Sequence, residues 1–398
     1  MVTAGEINPT ISLFPPGKAP LVVDIFSQGG GRRGAATAGF LHGLTRFMDI
    51  QIEGLSGTSA GAMANAVLAH GLAKEATEPT HDRQDTRLGL ARLYHTVTEY
   101  SPYNVAQSLA EQAKQTVVDS QRLMLAAPFA AFSPFSFMRQ MAALGDGIGA
   151  QFHTYGRALT RATRVQHPGS HILELVLQDV IGSTKPLHAP QAPLLVNNVV
   201  RMADDQHLLF HNRSNDQPMT LRHIAASGAL TAYLPTVDVP GIGACRDGAE
   251  GGANPPLLEF YRLKREIMPQ AQARTAILYN LSDPDGSLKD ELKARDPKLH
   301  GHFIEAMAKQ KAERAELMAR GDTRLITVQA ALTQEQRRES LSDTDPVKMK
   351  AMFEIGRRQG EALGFKLISE ELGYDARAVV ERPTALRQPP ARRSATLR

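Results

Sequence analysis

Gly57-Thr58-Ser59-Ala60-Gly61 places a serine between two glycines, after a run that reads as a strand and before one that reads as a helix. Small residues on both sides let the backbone turn sharply and hold the hydroxyl clear of the sheet, as in the nucleophile elbow of serine hydrolases. A helix starting behind Ser59 would add unpaired N–H groups and a dipole that favour developing negative charge. The plain alternative is a glycine-rich turn without chemistry, and a bare G-x-S-x-G fits both.

Gly29-Gly30-Gly31-Arg32-Arg33-Gly34 is a second glycine cluster, again between a strand pattern and a helix pattern. Glycines free backbone N–H groups to converge, so such a loop is an anion cradle. Three anions are open to it. A dinucleotide fits loosely, because no acidic residue ends a second strand at the usual distance. A nucleoside triphosphate lacks its G-x-x-x-x-G-K-[ST]. The oxyanion of a tetrahedral acyl intermediate suits a partner serine best. A third loop, Arg246 to Leu257, is glycine-rich and carries Asp247 at its entrance.

These loops need a frame. Leu21-Val22-Val23-Asp24-Ile25-Phe26-Ser27 is a short apolar run that predicts a strand, and Ala38, Leu41 and Leu44 then fall on one helical face. Ile52–Ser56 predicts a second strand, and 60–69 a helix of small residues. Residues 1–20 read as an irregular leader, and about 74–170 as an insertion. Within that insertion Asn104–Val118 has the spacing of an amphipathic helix. The uncharged run Leu123–Met138 holds four of the fourteen phenylalanines and suits either a lid over an acyl-chain pocket or core packing. Strands follow at 194–200 and 208–211, paired across a turn, then a helix at 220–230 capped by Thr220. Leu257–Ile267 predicts a helix and 275–281 a buried strand. Asp283-Pro284-Asp285-Gly286 is a turn and marks a boundary. Beyond it lies a helical C-terminal region (283–381), with helices expected at 303–319, 345–359 and 366–371. Residues 382–398 form a tail with five arginines and no acid, expected to be disordered.

The ordered set of three loops resembles the patatin-like phospholipases, whose signatures are G-G-G-x-[RK]-G, G-x-S-x-G and D-G-[GA]. Here they stand as Gly29 to Gly34, Gly57 to Gly61 and Asp247-Gly248-Ala249, with the family's Asn-Pro pair at Asn254-Pro255. The resemblance spans about residues 21–282. It implies a three-layer α/β/α fold with a central, mostly parallel sheet, to which this chain adds its helical extension. It also implies a Ser–Asp dyad: Ser59 as nucleophile and Asp247 as general base. Backbone N–H groups around Gly29, Gly30, Gly31 and Gly34 would hold the oxyanion, with Arg33 fixing the loop or assisting the charge. Gly57 and Gly61 would be the elbow glycines. No cofactor and no metal are implied. Two positions depart from the family: Gln28 replaces a common acid before the triple glycine, and Arg32 a residue that is usually apolar or small.

Composition bounds the rest. The 398 residues are 42% hydrophobic, enough for a large core, and the single cysteine, Cys245, excludes an intrachain disulfide. The N-terminus has neither the basic start nor the apolar core of a signal peptide, and no stretch reaches the ~18 apolar residues that span a bilayer. The reading is a cytoplasmic protein able to dock on a membrane surface; signal-independent secretion would leave no mark in the sequence. A net charge of +4 favours anionic phospholipid headgroups. No recognition motif points to nucleic acid.

The expected activity is therefore a lipid acyl hydrolase of the phospholipase A type, acting on phospholipid or another acyl ester. The acceptor, water or an alcohol, is not encoded in the motifs, and a protein or lipid activator fits the insertion and the extension. Two rivals stand beside it. One is an α/β-hydrolase with a Ser–His–Asp triad, for which His300 and His302, in an apparent polar turn, are the candidates. The other is a catalytically silent lipid-binding or scaffold protein. A metal hydrolase lacks H-E-x-x-H, and His207 and His211 read as structural.

Overall fold

The computed structural model describes residues 9–77, 83–100, 171–281, 293, 297–338 and 344–374. The helix expected at 104–118, the phenylalanine-rich run, the 283–286 turn and the arginine tail lie outside them.

A mixed, mostly parallel sheet forms the middle layer. Its strands are β1 (Leu21–Ser27), β2 (Ile50–Gly57), β3 (Leu194–Arg201), β4 (His207–His211), β5 (Val237–Val239), β6 (Gly243–Asp247), β7 (Thr275–Asn280) and β8 (Arg324–Gln329). They run in the order β5-β6-β3-β2-β1-β7-β8, with β4 paired to β3. β1, β2, β3, β7 and β8 are parallel neighbours; β4, β5 and β6 pair antiparallel. A parallel strand covered on both faces needs apolar residues on both, which is why β1 reads as an unbroken run. Val23 and Ile25 enter one core, Phe26 the other.

The first core lies under α1 (Gly34–Leu44), α2 (Ala60–Thr77), α3 (Gln84–Tyr100), α4 (Ile172–Ile181) and α5 (Leu221–Ser227). The second lies under α6 (Leu258–Ile267), whose Phe260 packs edge-on against Phe26. Lys264 ties that helix down, its Nζ 2.5 Å from Asp24 Oδ1 and 2.8 Å from Glu53 Oε2. The chain then adds α7 (Pro297–Arg320), a short α8 (Gln334–Arg338) and α9 (Pro346–Glu371). The architecture is a three-layer α/β/α fold with C-terminal helices.

Four features differ from the sequence reading. The stretch placed in the insertion from residue 74 begins as the end of α2, and α3 follows with Leu90, Leu93 and Tyr94 in the first core. Residues 283–381, read as helical, include β8, which extends the same sheet; its half-exposed edge lacks the apolar run that betrays a central strand. The helices expected at 345–359 and 366–371 are one helix, α9. His300 and His302 sit in the first turns of α7 rather than in a loop. In the leader, Ile11 bridges to Phe47, and Asp49 accepts from Ser12 Oγ and Leu13 N.

α9 lies against α1 at backbone distance. A methyl group on Gly360 would meet the Phe40 carbonyl oxygen at 2.0 Å, and one on Gly39 the Phe353 carbonyl oxygen at 1.9 Å. Neither neighbour is a flexible side chain, so the helices must separate to admit it. Gly360→Ala is expected to destabilise the fold by about 1–3 kcal/mol, read as a lower midpoint in urea with unchanged slope.

Candidate active site

The three loops converge at one edge of the sheet. The triple-glycine loop follows β1, the serine turn follows β2, and both leave the carboxyl ends of adjacent parallel strands, where open α/β sheets bind ligands. Asp247 ends β6, which is joined to β2 through β3.

Ser59 has φ of 56°, a left-handed conformation that is strained for a residue with a side chain. Its neighbours show why the turn is so tight. A methyl on Gly61 would sit 2.3 Å from the Ser27 carbonyl oxygen, and one on Gly57 2.7 Å from the Ala62 nitrogen. Both glycines are close-approach positions: α2 begins directly against the end of β1. Gly61→Ala should force the turn open, lowering stability by about 1–3 kcal/mol and reactivity of the serine about 100-fold. A urea melt and the rate of phosphonylation by a fluorophosphonate separate the two effects.

The Ser59 N–H donates to Ser227 Oγ at 3.0 Å. Ser227 ends α5, whose start is fixed by a capping box between Thr220 and His223. A further clamp is Asn198 on β3. Its Oδ1 accepts from Thr58 Oγ1 at 2.6 Å, and its Nδ2 donates to the carbonyls of Gly248 at 3.3 Å and Ala253 at 2.9 Å. One amide therefore holds the serine turn and the aspartate loop together. His207 Nε2 lies 3.2 Å from the same Nδ2, and His207 packs on Gly252, so this histidine supports the loop.

Asp247 is almost wholly buried, and burial pushes its carboxyl up to about 7. The Ser59 hydroxyl and the Ala249 N–H, 2.8 Å from Oδ1, oppose that rise, while the neighbouring Glu250 carboxylate adds to it. Oδ2 makes no hydrogen bond among the described residues, although the Ser59 hydroxyl lies close enough to the carboxyl to lower its pKa. Such contacts tighten when substrate fills a site. Glu250 is itself buried and held by Thr231 N at 2.7 Å and by Arg246 Nε at 3.3 Å.

The glycine loop divides its labour. Gly29 N–H is committed to Asn254 Oδ1 at 2.7 Å, and a methyl on Gly29 would touch Ser59 Cβ at 2.6 Å. Gly34 N–H points back to the carbonyls of Gly31 and Arg32. Gly30 and Gly31 N–H make no hydrogen bond among the described residues, and Gly31 has φ of 53°. Gly31 lines the cavity with Ser59, and Gly30 precedes it in the loop. Arg33 is buried, and its guanidinium donates to the Arg337 carbonyl, which anchors the loop to the C-terminal region. Arg32, not Arg33, lines the cavity in front of Ser59.

That cavity is about 380 Å³ and runs between α2, α3, α4 and the segment after α5. Met63, Leu93, Val97, Ile172, Val176 and Leu230 make its wall apolar, and Ser59, Gly31 and Arg32 stand in it. A volume in the range of ligand sites, apolar with a few polar groups at one place, fits an acyl chain.

His300 and His302 make no hydrogen bond with Ser59 or Asp247 among the described residues, and no histidine contributes to the Asp247 shift. The residues the sequence reading did not single out are Asn198, Glu250 and, as a contact of the serine turn, Ser227. The adjacent asparagines in the otherwise apolar Leu194–Val200 were the visible sign of the first, since buried polar side chains require partners.

A family model described as patatin-like phospholipase matches residues 26–261. No curated protein matches. Among solved structures, VipD from Legionella pneumophila is similar with a TM-score of 0.36 and 12% identity, over 87% of this chain and 67% of that one. The matched span includes all three loops and most of the sheet. This chain belongs to the patatin-like phospholipase family, whose members hydrolyse lipid esters.

Proposed function

We propose that the protein is a lipid acyl hydrolase of the phospholipase A type, with Ser59 as nucleophile and Asp247 as its general base. The observation that carries this reading is the strained Ser59 set between a buried carboxyl and two unengaged N–H groups, at the mouth of an apolar cavity. Ser59 Oγ attacks the ester carbonyl as its proton passes to Asp247. The N–H groups of Gly30 and Gly31 hold the oxyanion. Collapse of the tetrahedral intermediate releases the alcohol, which takes the proton from Asp247. Water then attacks the acyl-enzyme, with Asp247 again taking the proton and returning it to Ser59 Oγ as the fatty acid leaves.

The environment of Asp247 suits this task. A base with pKa near the working pH balances its ionised fraction against its strength, and a carboxyl at about 7 meets that condition. The apolar wall takes the acyl chain, each buried methylene adding about 0.8 kcal/mol. Arg32 gives the mouth a cation near the reacting serine. Membrane docking and an activator belong to the same proposal: substrate would be drawn from a bilayer surface, and no helix among the described residues is long and apolar enough to cross one.

Free fatty acid released from phosphatidylcholine–phosphatidylglycerol vesicles tests the reading. Release by the wild type and none by Ser59→Ala is expected. A wild type that binds vesicles yet releases nothing, while Ser59 resists a fluorophosphonate, would favour the silent lipid-binding protein.

A further inference from the structure

α7 lies outside the family-matched span, yet it reaches the catalytic loops. Its buried face is Phe303, Ala306, Gln310, Glu313 and Leu317, at helical spacing. Two polar side chains within that stripe would be costly unless paired, and both are paired with the same short segment. Gln310 Nε2 donates to the Asn254 carbonyl. Glu313 Oε2 accepts from Leu257 N at 2.7 Å and Leu258 N at 3.4 Å, capping α6, whose N-cap residue has no side-chain cap of its own.

Asn254 is the hinge of this arrangement. Its carbonyl is held by Gln310, while its Oδ1 holds Gly29 N–H, and Gly29 rests on Ser59. The preceding segment contains Gly248, Gly251 and Gly252, so its own backbone offers little stiffness. We propose that Gln310 is a positioning residue for the reaction: it fixes Asn254, and through Asn254 the oxyanion loop that carries Gly30 and Gly31. The proposal rests on the reading of Ser59 as nucleophile. It assigns the C-terminal region a part in catalysis that the family-matched span does not contain.

The test uses the full chain with p-nitrophenyl butyrate, the number of active sites being counted by fluorophosphonate. Gln310→Met keeps length and removes the donor. kcat per titrated site is expected to fall 10- to 100-fold, as for a misplacement of a fraction of an ångström to 1 Å, with KM within about twofold. Gln310→Asn, with the amide kept but drawn back, should lose activity too, and provides a second variant if the first does not fold. Lys309→Ala, which breaks a half-exposed ion pair with Glu259 and leaves the Gln310–Asn254 hydrogen bond in place, should match the wild type. Adding Gln310→Met to Asn254→Ala should cost less than about threefold further, because Gln310 acts on the oxyanion loop through the Asn254 side chain that is already gone. A folded Gln310→Met or Gln310→Asn with wild-type kcat per site overturns the proposal, as do losses that simply multiply in the double variant. A wild type whose Ser59 is inert to the probe overturns the reading of Ser59 and the proposal with it.

Discussion

Replacing Ser59 by alanine is expected to lower kcat for ester cleavage by about 10⁴–10⁶, the range for losing a nucleophile whose partners act as a unit. The fold should survive. Ser59 is held in place by its backbone, through Ser227 Oγ and the flanking glycines, and alanine leaves those contacts intact. The left-handed backbone at φ 56° is strained for serine and alanine alike, so that strain cancels in the comparison. Ser59→Gly is the informative companion. Glycine relaxes the same conformation, which offsets its greater freedom in the unfolded chain. A melting temperature at or above that of Ser59→Ala, with no activity in either, would show that the turn is shaped around the hydroxyl and not for stability.

Asp247→Asn is expected to lower kcat by about 10⁴. Asparagine can still accept the Ala249 N–H through its own oxygen, so the loop should keep its course. What it cannot do is take the serine proton. On the proposed mechanism, in which the ionised carboxylate is the base, the wild type should gain activity as pH rises, with a midpoint near 7. The residual activity of Asp247→Asn should lack that transition. Stability moves the opposite way. Burial raises the Asp247 pKa from 3.8 to about 7 in the folded protein, so between those values the folded state binds more protons than the unfolded one. Stability therefore falls as pH rises through that window. Asp247→Asn removes this loss, so near pH 8 the variant should be more stable than the wild type by up to a few kcal/mol, on the order of 1.4 per pKa unit. At pH 4 the two should melt alike. Urea midpoints at both pH values measure the difference.

The parts of the site that could be read from the sequence are those where backbone geometry dictates residue type. Gly57 and Gly61 are glycine because a β-carbon would strike backbone atoms, and Gly31 because its φ is positive. Such constraints are local, so they leave a motif. β1, β3 and β7 were legible because burial on both faces demands a continuous apolar run. The contacts of Asn198 reach residues 58, 248 and 253, and no window of sequence contains them together. Gln310 is likewise silent: a glutamine within a helix of Lys, Glu and Ala carries no sign of the carbonyl it meets. β8 is a half-buried edge strand between charged helices, and its alternation is too weak to stand out. His300 and His302 were misplaced although Pro297 opens α7, a position where proline favours a helix start.

The same contrast separates chemistry from its support. The serine, the aspartate and the glycine donors lie in three short motifs. The groups that set their spacing, namely Asn198, Ser227, Asn254 and Gln310, come from a strand, a helix end, a loop and a distant helix. Glu250 is a support of another kind, since its charge helps raise the Asp247 pKa without touching the serine. Precision in a site of this type is thus a tertiary property, although the groups proposed to react are local.

The most direct test of the Ser59–Asp247 pair is the rate of fluorophosphonate labelling between pH 5 and 9, with the labelled residue identified by peptide mass. Wild type, Ser59→Ala, Asp247→Asn and a His300→Ala/His302→Ala double variant would be compared. The expected result is a label on Ser59 of the wild type, with a rate that rises through a midpoint near pH 7. Ser59→Ala should remain unlabelled, Asp247→Asn should react slowly without that midpoint, and the double histidine variant should match the wild type. A label that survives in Ser59→Ala, or is lost in the histidine variant while Asp247→Asn reacts normally, would contradict the dyad.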